Sequence, residues 1–552
     1  MGLRSMIAAS LKKAAQKAGY DIPENLAVEL TEPKQKSHGD LSTNLALALA
    51  SNLKKNPREI AHRLTQSLEP VEAVEKVELA GPGFINFTVS RSWYLSGLER
   101  LISAGGAYGR STWGKNSRTQ VEFVSANPTG PLTIGHGRQA VLGDTIARML
   151  EATGHEVTRE YYFNNAGRQM RVLARSVRLR YLELLGETVD FPEDHYQGQY
   201  IVDIARHIFE EKGDSLKDAE NSDFFQESAE SIIFDEIRKT LKRLNITFDV
   251  FYNEKSLYES GKIDEVLTLL KQKGYSYQKE GAVWLKTSEF GQDQDRVIVK
   301  STGEPTYRLP DIAYHRDKLE RGFDRIVDIF GADHVATYPD VLAGLTALGY
   351  DTDRIRVLIH QFVTLMEGGE VVKMSTRRAN YVTLDELIDE AGVDVTRYFF
   401  LNRTSSSHLN FDLALAKKQS DENPVYYVQY AHARICSILK KARDQGFDSG
   451  GGADLSLLTG EEEMDLIKGL LEYPETVSRA ARELAPHLIS AFLEKTATLY
   501  HRFQHEGKVD PERRVLTENP SLAKARLALC GAARVVLANG LALLGIGAPE
   551  RM

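Results

Sequence analysis

Val121 to Asp144 reads VEFVSANPTGPLTIGHGRQAVLGD, and the fold turns on this stretch. Val121, Phe123 and Val124 favour a strand, and Asn127 to Pro131 is broken by Pro and Gly. From Gly135 onward Ala140, Val141, Ile146, Ala147 and Leu150 recur at helical spacing. A strand, a glycine-bearing turn and a helix start make the repeating unit of an α/β fold. Backbone N–H groups and the positive dipole end of the new helix face the turn, which makes it a natural phosphate site. Any α/β crossover shares that geometry. What sets this one apart is its polar crowd: Ser125, Asn127, Thr133, His136 and Arg138 stand where a structural connection needs only Gly and a cap.

These residues resemble the first signature of class I aminoacyl-tRNA synthetases. The lead-in Ser-Ala-Asn-Pro-Thr-Gly-Pro-Leu, Ser125 to Leu132, is similar to that of bacterial arginyl-tRNA synthetases. One position departs from the family pattern His-x-Gly-His, whose first place holds Thr133 here. A threonine hydroxyl can donate to a phosphate oxygen but carries no charge.

The 552 residues are enough for two to four domains with sizeable cores. At 42% hydrophobic and 26% charged, the composition is that of a soluble globular protein. The net charge of −8 does not advertise nucleic-acid binding, so an RNA partner must meet local basic patches. Cys436 and Cys530 are too few for a disulfide framework or a cysteine-rich zinc site and favour a reducing compartment. Leu3, Ile7 and Leu11 share a helix face beside Lys12, Lys13 and Lys17, which fits neither a signal peptide nor a membrane span. A cytoplasmic protein, away from membranes, is expected.

Residues 1–112 read as a small α+β module: a helix ending near Gly19, a second from Leu41 to Leu53, a third from Pro57 to Leu68, and strands at Val77–Leu79 and Phe84–Val89 around Gly81-Pro82-Gly83. The module resembles the N-terminal domain of the bacterial family, which packs on the tRNA elbow. The resemblance places RNA-base contacts at Phe84, for stacking, and Asn86, for a base edge. Equally, Phe84 fits a core position and Asn86 a strand edge.

Residues 113–403 alternate strands and helices, as in a Rossmann-like, doubly wound parallel sheet. Val157–Phe163, Val297–Lys300 and Ile326–Phe330 are its further strands. A helix with Arg168, Arg171, Arg175, Arg178 and Arg180 reads first as a solvated face, and residues from about 190 to 245 as a helical insertion between the halves of the sheet. A ligand then sits beyond the strands' carboxyl ends, where the clusters 125–138, 300–311 and 331–338 converge.

A guanidinium is a planar, permanently charged fork of donors, so a pocket that buries it must supply a carboxylate in bidentate reach. The converging clusters hold Glu122 and Asp311. By resemblance to arginyl-tRNA synthetases, Asp311 and Tyr307 grip the guanidinium, Ser125 and Asn127 hold the backbone end of L-arginine, and Glu122 lies at the same pocket. The bland alternatives are a helix N-cap for Asp311, a core aromatic for Tyr307 and a strand-edge charge for Glu122. The run Val371-Val372-Lys373-Met374-Ser375-Thr376-Arg377-Arg378, after Gly368-Gly369, resembles the Lys-Met-Ser-Lys-Ser loop of the class, with Thr376 where a second lysine often stands. A basic loop begun by glycines suits a cation that must reach a triphosphate and then let go.

The chemistry this implies runs on charge. An ionised carboxylate attacks the α-phosphate of ATP without a general base, and His136, Thr133, Lys373 and the Mg²⁺ that accompanies ATP are the candidates for neutralising the departing pyrophosphate. Gly135 lets the backbone lie close to adenosine, and Gly331, Asp333 and His334 line the nucleotide side with Lys373, Met374, Ser375 and Arg377. No protein-bound structural metal is expected. The second step transfers arginine to the terminal ribose of tRNA(Arg), and the family resemblance implies that bound tRNA is needed even for the first.

Residues 404–552 read as almost wholly helical, matching the family's anticodon-binding domain. Tyr427, Tyr430 and Arg434 fall three or four apart on a helix opened by Asn423-Pro424, a face that can stack and clamp unpaired bases or be half-buried core. Val535–Gly545 is too interrupted for a membrane span. A monomer is expected. Two rivals stand beside the synthetase: a nucleotidyltransferase of the same superfold, which has no use for the long helical C-terminus, and a catalytically silent tRNA-binding paralogue, kept open by Thr133.

Overall fold

The computed structural model describes residues 2–23, 26–218, 222–372, 382–447 and 452–552. The chain opens with Leu3–Lys17 (α1), Leu41–Thr43 (β1), Leu45–Leu53 (α2), Pro57–Ser67 (α3), Val74–Ala80 (β2) and Phe84–Val89 (β3), and the strands form a sheet ordered β1-β3-β2. The expected helix from Leu41 starts only at Leu45. Leu41, Ser42 and Thr43 pair with Phe87, Asn86 and Ile85 of β3, and Ser42 and Thr43, poor helix formers, belong to that strand and not to the alanine- and leucine-rich helix after it. Asn56 caps α3 by accepting from the Arg58 N–H, with Pro57 at the first helical position. Ile7, Leu11, Leu45, Leu49, Ile60, Leu64, Ile85 and Phe87 form a core belonging to this unit alone.

After Arg91–Ala104 (α4) comes the parallel sheet that positions the site. Arg118–Glu122 (β4) leads into Ile134–Ala152 (α5) and Glu156–Phe163 (β5). Gly167–Leu184 (α6), Gln199–Lys212 (α7) and Ser222–Arg243 (α8) follow, then Val250–Asn253 (β6). The insertion is helical as expected, but it lies inside the β5–β6 crossover. What separates the two halves of the sheet is Lys255–Glu259 (α9), Lys262–Gln272 (α10) and an antiparallel sheet of Ser276–Lys279 (β7), Ala282–Leu285 (β8) and Arg296–Val299 (β9). The strand expected at Val297–Lys300 is therefore present as β9 but belongs to this satellite sheet.

Arg308–Glu320 (α11) returns the chain to Arg325–Gly331 (β10), Tyr338–Leu348 (α12) and Ile355–His360 (β11). The main sheet has the order β11-β10-β4-β5-β6 with every neighbour parallel. The chain moves outward from β4 through β5 to β6 and then resumes on the other side of β4. That reversal opens a crevice at the carboxyl ends of β4 and β10.

Val363–Glu367 (β12), Glu370–Val371 (β13), Leu384–Ala391 (α13), Val393–Leu401 (α14), Leu409–Asp412 (β14) and Leu413–Ala416 (α15) connect to the helical part. Pro424–Asp444 (α16), Glu461–Leu471 (α17), Tyr473–Glu483 (α18), His487–Val509 (α19) and Pro520–Leu543 (α20) complete the chain. Although α20 is long and apolar enough to cross a membrane by composition, it is built into this bundle: Leu527, Val536 and Leu541 are buried, and Arg526 donates to Glu463 at 2.7 Å.

Candidate active site

Directly after β4 the backbone is strained. Val124 and Ser125 take φ values of +70° and +43°, a region that a β-branched residue rarely enters. Such conformations cost about 1–3 kcal/mol each and persist where the surroundings over-determine them. Here the Ser125 hydroxyl donates to Glu122 Oε1 at 2.8 Å and accepts from the Tyr162 N–H at 3.2 Å. Asn127 Oδ1 accepts from the Asn164 N–H, and Asn127 Nδ2 donates to Gln169 Oε1, both at 3.0 Å. Ser125 and Asn127 are thus fixed at the crevice, on the ends of β4 and β5.

Thr133 is the N-cap of α5. Its Oγ1 accepts from the His136 N–H at 3.4 Å, while His136 Nδ1 accepts from the Thr133 N–H at 3.2 Å. This reciprocal box satisfies two N-terminal donors and uses up the Nδ1 lone pair. The neutral ring therefore carries its proton on Nε2. Burial drives the His136 pKa down to about 4, against an upward pull from Asp333. His136 is consequently a neutral hydrogen-bond donor at pH 7, and it does not neutralise charge as a cation. A Cβ on Gly135 would meet only Thr133 Oγ1, at 3.7 Å, so this turn leaves space in front of it.

Arg138 does not join the polar crowd. Its buried guanidinium donates from Nη1 to the carbonyls of Gln361 (2.7 Å) and Ser407 (3.0 Å), and from Nη2 to that of Thr404 (3.0 Å). Two turns along α5, Asp144 accepts from Arg397 Nη2 at 2.6 Å, and Arg397 also donates to the carbonyls of Leu244 (2.6 Å) and Leu544 (2.8 Å). Helix α5 is thereby pinned to the segments that enter and end the helical part.

At the other end of the crevice Asp311 lies in the first turn of α11 and is not its N-cap. Among the described residues no side chain donates to its carboxylate. Burial raises its pKa to about 7, with Glu254 and Glu122 adding to the rise and His315 and Lys318 opposing it. Glu254, just past β6, is the residue that sequence reasoning missed. Its carboxylate accepts from the Tyr162 hydroxyl at 2.7 Å and Asn164 Nδ2 at 2.8 Å, and burial raises its pKa as well. Its position at a strand's carboxyl end was the available signal. Tyr307, 54% exposed, stands on the rim and not in the core, with the Arg308 guanidinium 4.7 Å from its ring centroid.

Glu122 departs from its expected place among the substrate ligands. It is buried, one oxygen taken by Ser125 and the other by Lys318 Nζ. Lys318 also donates to Asp328 at 2.6 Å, and His315 bridges Asp328 Oδ2 (3.0 Å) and the Asp311 carbonyl (2.8 Å). Glu122 therefore closes a buried, paired network beneath the pocket, where it supports Ser125.

The residues expected on the nucleotide side are Gly331, the last residue of β10, and the turn Ala332–His334. The His334 ring stacks on Phe330 at 5.2 Å, and Asp333 presents an exposed carboxylate. Because Asp333 acts on His136 across the gap, the two clusters face one space. Lys373, Met374, Ser375 and Arg377 lie outside the described residues. Past them, Thr383 bridges to Thr133, and the Leu384 N–H donates to the Leu132 carbonyl at 2.9 Å, which ties the start of α13 to the start of α5.

Of the RNA candidates, Phe84 is 39% exposed, whereas Asn86 is buried and its Oδ1 accepts from the Ser42 hydroxyl at 2.7 Å. Only the amide NH₂ of Asn86 is left for a base. On α16, Tyr430 is exposed, stacked on Tyr426 (6.2 Å, 6°) and His501 (5.9 Å, 25°), while Tyr427 is half-buried against His501. Tyr430 and Arg434 line a cavity of about 490 Å³ with Lys440, Lys441 and Arg551, a basic hollow floored by an aromatic. On α6, Arg168, Arg171 and Arg175 are exposed, as a solvated face requires.

Comparison with known proteins agrees along the whole chain. Residues 3–89 match the arginyl tRNA synthetase N terminal domain, 98–405 the catalytic domain of class I (R) tRNA synthetases, and 428–552 the DALR anticodon binding domain. The arginine–tRNA ligase of Salinibacter ruber is 50% identical over 552 residues, covering 96% of this chain and 97% of that one. The arginine–tRNA ligase of Desulfotalea psychrophila is 53% identical over 502 residues, 90% of each chain. Among solved structures, a putative arginyl-tRNA synthetase from Campylobacter jejuni superposes with a TM-score of 0.76 at 32% identity, covering 84% of this chain and all of that one. The Thermus thermophilus arginyl-tRNA synthetase superposes with a TM-score of 0.81 over the full length of both chains, at 24% identity. Family models that match the N-terminal, catalytic and anticodon-binding parts in turn, and relatives at 50% identity or more over nearly the full length, leave one reading: the chain belongs to the arginine–tRNA ligase family.

Proposed function

We propose that the crevice ligates L-arginine to the 3′ end of tRNA(Arg) through an arginyl-adenylate, releasing pyrophosphate and then AMP. The observation that carries the substrate assignment is Asp311: a half-buried carboxylate to which no side chain donates among the described residues, with a second carboxylate at Glu254 and the exposed Tyr307 on the rim. A burial cost of that kind is recovered when a guanidinium fork enters. Ser125 and Asn127 hold the backbone end, which points the substrate carboxylate toward α5.

In the first step an oxygen of that carboxylate bonds to the α-phosphorus of ATP, and the bond to the pyrophosphate oxygen breaks. Class I ligase chemistry uses ATP, and Mg²⁺ enters with it on the triphosphate, as part of the substrate. His136 Nε2–H and the backbone donors of the first α5 turn meet the developing charge, with Thr133 holding that turn in shape. Lys373, Met374, Ser375 and Arg377 supply charge and contacts to the triphosphate, and Gly135, Gly331, Asp333 and His334 seat the nucleoside. In the second step a hydroxyl of the terminal tRNA ribose attacks the adenylate carbonyl, and AMP leaves.

We place tRNA contacts at Phe84, at the Asn86 amide, and at Tyr427, Tyr430 and Arg434. The chain divides at 1–112, 113–403 and 404–552 and acts as a cytoplasmic monomer. Arginine-dependent exchange of labelled pyrophosphate into ATP, with and without tRNA, is the test. A tRNA-binding protein without chemistry gives no exchange under either condition, and a different nucleotidyltransferase ignores arginine; either result refutes the proposal.

A further inference from the structure

His360 has no task in the scheme above. It ends β11 in register with Gly331, the end of β10, and is 6% exposed. Its Nδ1 lies 3.3 Å from the carbonyl oxygen of Gln361, and a carbonyl can only accept, so the ring proton sits on Nδ1. Arg138 fixes the same carbonyl at 2.7 Å. Nε2 is left as a bare acceptor, buried, with no hydrogen-bond partner among the described residues. Burial, together with the Arg138 charge, brings the ring's pKa down to about 4, so it stays neutral at pH 7. An unpaired buried acceptor is costly, and in a native fold it calls for an explanation such as a ligand that completes it.

The space in front of Nε2 points to that ligand. A Cβ on Gly331 would lie 2.5 Å from Asp333 Oδ1 and 3.9 Å from His360 Nε2. Glycine thus leaves a hollow on which two acceptors converge, one a carboxylate and one a neutral imidazole nitrogen. A phosphate oxygen offers neither of them a proton. A hydroxyl does, and the ribose of ATP carries two side by side.

We propose that His360 is a specificity-determining residue of the nucleotide site: its Nε2 accepts a hydrogen bond from a ribose hydroxyl of ATP seated over Gly331, while Asp333 turns to accept from the adjacent hydroxyl. This rests on the reading that the nucleoside lies along Gly331–His334. The Asp333 side chain is largely exposed and moves aside as the sugar enters. Sugar recognition is then set by the ends of two neighbouring parallel strands, which hold the hydroxyl in a fixed place.

The test compares ATP, 2′-deoxy-ATP, 3′-deoxy-ATP and purine riboside triphosphate in pyrophosphate exchange. The proteins are the intact chain, His360→Phe, which has no acceptor, and His360→Gln, whose Oε1 reaches the place of Nε2. The unaltered protein is expected to lose about tenfold or more in kcat/KM with one deoxynucleotide, as a buried acceptor left unpaired requires. His360→Phe is expected to lose a similar factor with ATP, to show no further loss with that deoxynucleotide, and to keep its KM for arginine. His360→Gln is expected to recover part of the discrimination. An unchanged KM for ATP in His360→Phe, or an equal penalty on all four nucleotides, makes the ring a packing residue and overturns the proposal. Coupling to purine riboside triphosphate alone makes the donor the 6-amino group and overturns the ribose assignment. Should His360→Phe fail to fold, Gly331→Ala fills the same hollow and is expected to erase the same discrimination. If the intact chain gives no exchange, the parent reading fails, and equilibrium dialysis of the same nucleotides still decides the role of His360.

Discussion

Asp311 gives the sharpest handle on the pocket. With its pKa raised to about 7 in the empty site, the carboxyl is half protonated at neutral pH, whereas a guanidinium is always charged and pairs only with the ionised form. The apparent dissociation constant for arginine is then the intrinsic value multiplied by 1 + 10^(7 − pH): a factor of about 1.1 at pH 8, about 2 at pH 7 and about 11 at pH 6. Tenfold between pH 8 and pH 6 corresponds to about 1.4 kcal/mol. The sign follows from the direction of the shift. A carboxyl whose pKa is raised by burial favours the protonated empty site as pH falls, so arginine binds more weakly in acid and releases a proton on entry. The upward shift of Glu254 acts in the same sense. His136 has its pKa near 4 and changes nothing in this window, so the KM for arginine moves with pH while kcat keeps no contribution from that ring. Isothermal titration of arginine at pH 6, 7 and 8, in buffers of different ionisation enthalpy, reads both affinity and proton release. Asp311→Asn is expected to weaken arginine by about 10²-fold or more, the cost of an unpartnered buried guanidinium, to flatten the pH profile and to leave ATP binding intact. Flat affinity from pH 6 to 8 in the unaltered chain, or near-normal arginine binding by Asp311→Asn, would sink the pocket assignment.

Thr133→Ala removes the cap of α5 and is expected to lower stability by about 0.5–2 kcal/mol with a fall in kcat larger than the change in KM for arginine, read by thermal melting and steady-state exchange. Lys318→Met leaves Glu122 and Asp328 as unpaired buried carboxylates and is expected to cost about 3–5 kcal/mol in urea unfolding, whereas a loss under about 1 kcal/mol would mean that the network is not closed. Tyr430→Ala takes away the exposed stacking ring over the basic hollow and is expected to weaken tRNA(Arg) by about 1–3 kcal/mol in filter binding while sparing the KM for arginine.

The order of elements was legible because period and punctuation agreed. The Val121–Phe123 strand, the Asn127–Pro131 break and the Ala140–Leu150 spacing correspond to β4, a turn and α5, and the caps at Asn56 and Asn423 fall where Pro follows. Errors arose wherever a residue's fate depended on a partner far away in the chain. Leu41–Thr43 directly precedes an alanine- and leucine-rich helix and becomes a strand because β3 lies beside it. Glu122 and Asp311 look alike as acidic residues in converging clusters, yet Lys318 neutralises one, and among the described residues no side chain donates to the other. Arg138, in the heart of the signature, turns away to three carbonyls beyond position 360. Glu254 and His360 gave little local signal, since each owes its environment to a parallel neighbour strand.

The contrast between the two ends of the crevice follows from their chemistry. A guanidinium brings five donors and a charge, and in the proposed cup Asp311 has no side-chain donor among the described residues while burial raises its pKa to about 7. A triphosphate brings acceptors and negative charge, so its end is built from donors that cost little to keep: helix N–H groups, a capped Thr133 and a neutral His136 with its proton outward. Both ends must keep their spacing for the substrate carboxylate to reach the α-phosphorus, and a displacement of about 1 Å costs on the order of 10²-fold in rate. The pins at Arg138 and at Asp144–Arg397 fix the helix that sets one end, and the Glu122–Lys318–Asp328 network fixes the floor of the other. These buried charges hold the two ends apart, and the strained Val124–Ser125 link lies between them.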